Sequence, residues 1–342
     1  PRERWAFQLG TAAYVLLLVT FPFGLMTNHY FPAVLRPYMA DGAEPVATRE
    51  GLTEVAFLLR KDLLGQPGFH RLITNGFPMS ANTFLAKRYM RLFVYWPMAL
   101  HPSPTKALLV CYGIGVTAKA LTDARALESI DVVDVSRNLI ELSRDYSPFP
   151  GDHPLEDPRV SIHIEDGRLF LQTTDRTFDL ITAEPPPPKN AGIVNLYTLE
   201  YFQLLHERLA PGGVVTYWLP VYQLSVEESK AIVKGFCQAF RDCSMWTGAG
   251  TEWMLVGTRG LRGPVQEAGF RRLWQEPGLG SGLSSIGIER PEQLGALFIG
   301  DSEFLAEWTG DTLPLEDDHP HRIYPTNLDG KGGDEDAMGE YF

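Results

Sequence analysis

The strongest constraint in this sequence is an alternation that begins near residue 106. Lys106–Gly113 (KALLVCYG) is a short apolar run ending in glycine, and Val116–Leu127 then carries a helical spacing. Ser129–Val135 reads as a second strand, followed by a helix through Tyr146. Val160–Glu165, Phe178–Glu184 and Gly213–Leu219 read as further strands, and Trp253–Thr258 as a late one. Tyr197–Leu209 and Glu227–Phe240 are the helices between them. Such alternation predicts a mostly parallel sheet with helices on both faces. The fold class is α/β, with a Rossmann-like sheet over 105–258.

The length of 342 residues leaves room for one large domain with appendages, or two. Lys plus Arg is 30 and Asp plus Glu is 42, a net charge of −12 with no basic block. That balance argues against nucleic acid as a partner. The three cysteines, Cys111, Cys237 and Cys243, fit neither a zinc site nor a disulfide framework, and point to a reducing compartment. No metal is expected. Asp317-Asp318-His319-Pro320-His321 has ligand-type residues, but its setting reads as a solvated loop.

The run from Trp5 to Met26 has 22 residues and no charge. It is a transmembrane candidate, in competition with a signal peptide and with a buried or oligomer-capping helix. A homo-oligomer is among the partners the sequence allows. The expected organisation is a transmembrane helix at 1–27 and a linker at 28–50. A small β-rich domain plus helix follows at 51–104, then the sheet domain at 105–258, then an appendage with an acidic tail at 259–342. Asn75-Gly76 is a hairpin signal inside the small domain, and Pro97 is expected to end or kink the helix over 83–100. The location expected is the inner or plasma membrane, with the catalytic domain cytoplasmic. Arg2 and Arg4 alone would put that domain outside, and earlier spans of a longer protein would overrule them.

In an open α/β sheet, ligands sit at the carboxyl ends of the strands. After the first strand come Gly113-Ile114-Gly115, where glycine permits close approach of backbone to ligand. Asp134 ends the second strand, 21 residues beyond Gly113, placed to accept from both ribose hydroxyls of a nucleoside. Asp166 and Gly167 follow the third strand, an acid for an adenine amino group and space for its ring. Each acid read singly is as well explained as a helix cap. Three sites at three successive strand ends favour a nucleoside pocket. The third glycine of the dinucleotide fingerprint is absent, which favours a single nucleoside such as an adenosyl sulfonium.

Residues 51 to 258 resemble the spermidine synthase (polyamine aminopropyltransferase) family. The phrases that carry this are LITNG at 72–76, YMRLFVYWPMALHPSP at 89–104, KALLVCYGIG at 106–115 and SIDVVDVSRNLIELSRDY at 129–146. DPRVSIHIEDGRLFL at 157–171, FDLITAE at 178–184 and LYTLEYF at 196–202 continue it in order. PLEDDHPHRIY at 314–324 resembles the closing segment of membrane-fused relatives. The resemblance implies a nucleoside-dependent transferase fold behind a small β-domain. It implies an enzyme that moves an aminopropyl group from decarboxylated S-adenosylmethionine to an amine. It implies Glu184 as the base for the attacking amine, Tyr197 facing the site, and Tyr89, Arg91 and Tyr95 on the substrate side.

Several positions depart from the family pattern. Ile114 stands where the family has an acid that holds the donor's ammonium. Arg91 and Tyr95 stand where it has an acid and a histidine. Pro185-Pro186-Pro187-Pro188 follows Glu184, so Pro187 replaces a second acid. An ammonium brought into a pocket needs carboxylates to offset its desolvation. Arg91 and Ile114 would therefore favour a donor that keeps its carboxylate, S-adenosylmethionine, and a methyltransferase is the alternative. A silent nucleoside-binding, membrane-attached domain is the other.

Overall fold

The computed structural model describes residues 2–51, 54–146, 149, 151–190, 192–260, 266–320 and 323. The expected acidic tail, His321 and most of the 314–324 phrase beyond Pro320 lie outside the described residues.

The chain opens with α1 (Arg2–Thr20), whose side chains from Arg4 onward are all exposed. The apolar run does not form one continuous helix. α1 stops at Thr20, before Pro22, and a π-helical turn starts at Met26. Nineteen residues span about 29 Å, and the first turn carries charged residues. No helix among the described residues is long and apolar enough to cross a membrane. The expected transmembrane helix over this run is therefore not confirmed by the described helices.

The expected linker is also structured. It holds α2 (Phe31–Leu35) and a first strand, β1 (Glu44–Glu50). This strand pairs with β2 (Val55–Leu63), which continues to β3 (Gln66–Thr74) and β4 (Phe77–Ala81) in an antiparallel sheet of order β1-β2-β3-β4. Asn75 and Gly76 both take positive φ, 51° and 84°, the hairpin geometry their sequence signals. Successive residues of β2 serve opposite faces. Ala56 and Leu58 pack with Ile114, Val116 and Leu142 of the main domain, while Phe57 and Leu59 pack with Phe31 and Leu35.

α3 (Phe84–Leu100) joins the two sheets and starts at Thr83, whose side chain accepts from the Ala86 amide. Pro97 does not end it. Proline cannot donate to the Phe93 carbonyl one turn earlier. The hydroxyl of buried Thr216 donates to that carbonyl instead, at 2.7 Å.

The main sheet has eight strands. β5 (Lys106–Val110), β6 (Ser129–Asp134), β7 (Val160–Ile164), β8 (Phe178–Ala183) and β9 (Leu209–Pro220) run parallel. β10 (Ser244–Ala249), β11 (Glu252–Thr258) and β12 (Phe298–Gly300) are antiparallel additions. The order is β12-β10-β11-β9-β8-β5-β6-β7. Helices α4 (Val116–Asp123) and α5 (Arg137–Asp145) lie with α3 on one face. α6 (Gly167–Thr173), α7 (Leu199–Arg208) and α8 (Val226–Ala239) cover the other. The C-terminal segment adds α9 (Glu267–Leu273), α10 (Pro277–Ser285), α11 (Pro291–Gly295), α12 (Ser302–Thr309) and β12, so it completes the sheet edge.

Cys237 and Cys243 form a disulfide, Cα atoms 5.3 Å apart, tying the end of α8 to the start of β10. The cysteine spacing had given no sign of this, because a helix-to-strand turn makes the neighbours. It removes the cysteine-based case for a reducing compartment.

Candidate active site

The order β8-β5-β6 makes the gap between β5 and β8 the switch point, where the loops after two central strands diverge. Two sets of residues meet there.

The expected nucleoside side is built from the loops after β5, β6 and β7. Cys111 leaves β5 with φ 70°, an uncommon conformation for a residue with a Cβ. Gly115 follows with φ 84°, and a Cβ there would run into the Tyr112 ring, so glycine is required. Asp134 is buried and grips this loop. One oxygen accepts from the Tyr112 amide at 2.8 Å and the other from the Ser136 amide at 2.8 Å. Burial pushes its pKa up, while those two amides pull it down. Asp166 is exposed and caps α6, accepting from the Leu169 amide at 2.9 Å. A Cβ on Gly167 would meet Val110 at 2.6 Å. The capping roles and the nucleoside roles of these acids are compatible, since each carboxylate oxygen has a second lone pair.

Ile114 does not face this crevice. It is buried against Leu58, Leu72 and Leu142, in the joint between the two sheets. A small apolar cleft borders it, lined also by Gly113, Leu139, Ser143 and Tyr146, with no carboxylate. That cleft is no place for an ammonium group.

The second set lies on the α3 face of the sheet. Glu184 follows Ala183, which pairs with Tyr217, so Glu184 is level with Trp218 on β9. Glu252 pairs with Pro220, two residues further along the same face. The Trp218 indole donates to Glu252 Oε2 at 2.6 Å. Tyr89 of α3 lies parallel to the Trp218 ring, centroids 6.5 Å apart and planes 11° apart. The Thr117 hydroxyl, at the start of α4, donates to Glu184. Burial pushes the Glu184 carboxyl up to about 8; the Thr117 bond opposes this and the Glu252 charge adds to it. Burial likewise pushes Glu252 up to about 7, opposed by the Trp218 bond. Tyr222, 41% exposed, feels the same Glu252 charge, at the open side of the cluster.

Glu252 is the residue sequence reasoning missed. It lies 68 positions beyond Glu184 with no motif between them. Only the antiparallel return of β11 onto β9 brings it in. Trp218, read singly as a core residue, is also its hydrogen-bond partner.

Three expected site residues lie elsewhere. Arg91 donates to the Gly282 carbonyl at 3.1 Å and to Ser285 Oγ at 2.7 Å, on α10. Tyr95 packs against the same helix at Gly282, and burial pushes its pKa to about 12. The reason is helical phase: residues 89 and 91 are about 200° apart around α3, so Tyr89 and Arg91 cannot serve one pocket. Tyr197 is fully buried on the opposite face of the sheet, and its hydroxyl donates to the Pro185 carbonyl at 3.2 Å. It supports the proline run and does not point into the crevice.

Among the described residues no His, Cys, Asp and Glu cluster could hold a metal. Asp317 pairs with Arg168 instead.

A mostly parallel sheet of this order defines a Rossmann-like α/β fold. Comparison with known proteins narrows this. A spermine/spermidine synthase domain matches residues 86–248, and over that stretch the chain is similar to the spermidine synthase-like proteins. The polyamine aminopropyltransferase of Streptococcus pneumoniae serotype 4 is 33% identical over 160 residues, covering 46% of this chain and 54% of that protein. The chain thus spans about half the length of the curated relatives it matches. A spermidine synthase solved in complex with the transition-state analogue AdoDATO superimposes with a TM-score of 0.61 at 18% identity, over 77% of this chain and 86% of that one. The spermidine synthase of Thermotoga maritima gives 0.60 at 17% over the same shares. At those identities the structural likeness speaks for the fold.

Proposed function

We propose that this protein transfers an aminopropyl group from decarboxylated S-adenosylmethionine to an amine, with Glu184 as the base. The observation that carries the reading is the pair of half-buried carboxyls, Glu184 and Glu252, on one sheet face beside the switch point. The amine nitrogen attacks the propyl carbon bonded to sulfur. The C–N bond forms, the C–S bond breaks with its electrons going to sulfur, and methylthioadenosine leaves. The proton lost by the nitrogen goes to the Glu184 carboxylate. Asp134 and Asp166 would hold ribose and adenine, and the amides of the Gly113–Gly115 loop would approach the donor. In the ligand-free pocket Glu184 is largely protonated at neutral pH. An entering cation favours its ionised form and so readies the base.

Glu252 gives this reading something the proline run had removed. Pro187 occupies the place of a second acid, and Glu252 brings one from another strand. The Tyr89 and Trp218 rings offer apolar walls for the methylenes of an alkylamine. The methyltransferase alternative rested on Arg91 as the partner of a donor carboxylate, and Arg91 is bonded to α10. The silent-domain alternative leaves two partly desolvated acids, both with raised pKa, without a use.

The test is turnover with decarboxylated S-adenosylmethionine and a panel of mono- and diamines. Glu184→Gln is expected to lose about 10²- to 10⁴-fold in rate while still binding methylthioadenosine. Unchanged turnover in that variant would remove Glu184 as the base.

Membrane contact through α1 belongs to the same proposal. It is supported by the exposure of the apolar groups Trp5, Phe7, Leu16, Leu17 and Val19. Co-sedimentation with lipid vesicles, with and without residues 1–24, tests it.

A further inference from the structure

The segment after α12 packs on α7 and α8 and passes beside the expected active-site loops. Leu315 is fully buried; its amide donates to the Ala231 carbonyl at 3.0 Å, and its carbonyl accepts from the Leu199 amide at 2.8 Å. This docking delivers Asp317 to a junction. Arg168 reaches it with both terminal guanidinium nitrogens: Nη1 donates to Oδ1 at 2.8 Å, and Nη2 to Oδ2. The Thr198 hydroxyl donates to Oδ1 at 2.7 Å. The Asp317 amide donates to Glu200 Oε2 at 3.0 Å. Arg168 also donates to the Asn195 carbonyl at 2.8 Å.

What lies on either side of this junction gives it meaning. Arg168 directly follows Asp166 and Gly167, the adenine-side residues. Thr198 caps α7 and directly follows Tyr197, whose hydroxyl holds the Pro185 carbonyl next to Glu184. One carboxylate therefore binds the helix that starts the nucleoside side and the loop that carries the base. A bidentate guanidinium–carboxylate pair fixes direction as well as distance.

We propose that Asp317 is a positioning residue, a latch that sets the nucleoside-side helix and the Glu184 loop relative to each other. The proposal rests on the assignment of the switch-point crevice as the active site. Without the carboxylate, Arg168 turns to solvent and the Asn195–Thr198 corner loses two of its holds. The proline run then loosens and water reaches Glu184. Among the described residues, Thr117 of α4 is hydrogen-bonded to Glu184, and Tyr89 of α3, Glu252 of β11 and Cys111 after β5 lie within its electrostatic reach. The latch touches none of them, so its effect travels through the loop alone.

The experiment compares Asp317→Asn, Asp317→Glu, Arg168→Gln and Leu315→Ala in the full chain. Methylthioadenosine is the calorimetric probe, and the Glu184 carboxyl is followed by carbon-13 NMR with Glu184→Gln to assign its signal. Asp317→Asn and Arg168→Gln are expected to weaken methylthioadenosine by about 2- to 30-fold and to move the Glu184 titration down in pH. Asp317→Glu is expected to recover most of both. Leu315→Ala, which loosens the segment's packing but keeps the carboxylate, is expected to lower the melting temperature with a smaller change in the titration. If the two charge variants lower stability but leave Glu184 and methylthioadenosine affinity unchanged, Asp317 is only a staple and the proposal falls. The carboxyl titration needs no turnover. A wild-type protein inactive with every amine would count against the aminopropyl reading, and the latch would still be decided.

Discussion

Glu184 shows how a residue's neighbours set what it does. An acid at the end of a strand is an ordinary sequence feature, and its spacing says nothing of its acidity. Burial on the α3 face raises it to about 8, and the Glu252 charge contributes. As the proposed base it must be ionised, so kcat/KM is expected to rise with pH through a limb near 8. Glu252→Gln removes a negative neighbour, so that limb is expected to move to lower pH while the KM for the amine increases. A pH–rate series on the two proteins checks both. Asp134, Asp166 and Glu184 were legible because they follow strands, and strand ends are visible in a sequence. Arg91 and Tyr95 misled because a family alignment fixes a position along a helix, whereas α10 captures both side chains.

At the scale of elements, two substitutions by polar or covalent partners hold the scaffold. Pro97 leaves the Phe93 carbonyl without its helical donor, and Thr216 supplies one. Thr216→Val keeps the shape and strands that carbonyl, so a loss of about 1–3 kcal/mol is expected in denaturant unfolding. The Cys237–Cys243 disulfide closes a short loop between α8 and β10. Replacing both cysteines with alanine is expected to cost about 2 kcal/mol by the loop-closure estimate. The same titration with and without reductant checks it, and the alanine variant should be insensitive to reductant. The parallel strands were legible as continuous apolar runs. β1 was not, because an edge strand of the small sheet reads EPVATRE, with the polar character of a linker.

For the molecule as a whole, the two raised acids make stability depend on pH. Glu184 is raised from 4.5 to about 8 and Glu252 from 4.5 to about 7. The folded state therefore holds protons that the unfolded chain releases near 4.5. Their contribution is full below that pH and is lost as pH rises through about 7 and then about 8. The ligand-free wild type is expected to lose more melting temperature between pH 5 and pH 8.5 than the Glu184→Gln, Glu252→Gln protein (pH range on the order of these shifts). Removal of α1 is expected to leave the melting temperature within about 2 °C, since none of its described side chains enters a core cluster.

The sequence by itself determined the α/β class, the central strands and helices, the glycine turn after β5 and the acids at successive strand ends. These are local properties, written in the period of apolar residues and in the chemistry of turns. Only the tertiary structure decided which of the candidate residues meet. Glu252 joins Glu184 because β11 returns antiparallel to β9. Arg91 leaves the site because its phase on α3 points to α10. Asp317 reaches Arg168 because a buried leucine two residues before it docks the segment between α7 and α8. Each of these depends on contacts between residues far apart in the chain, and no spacing within one segment records them.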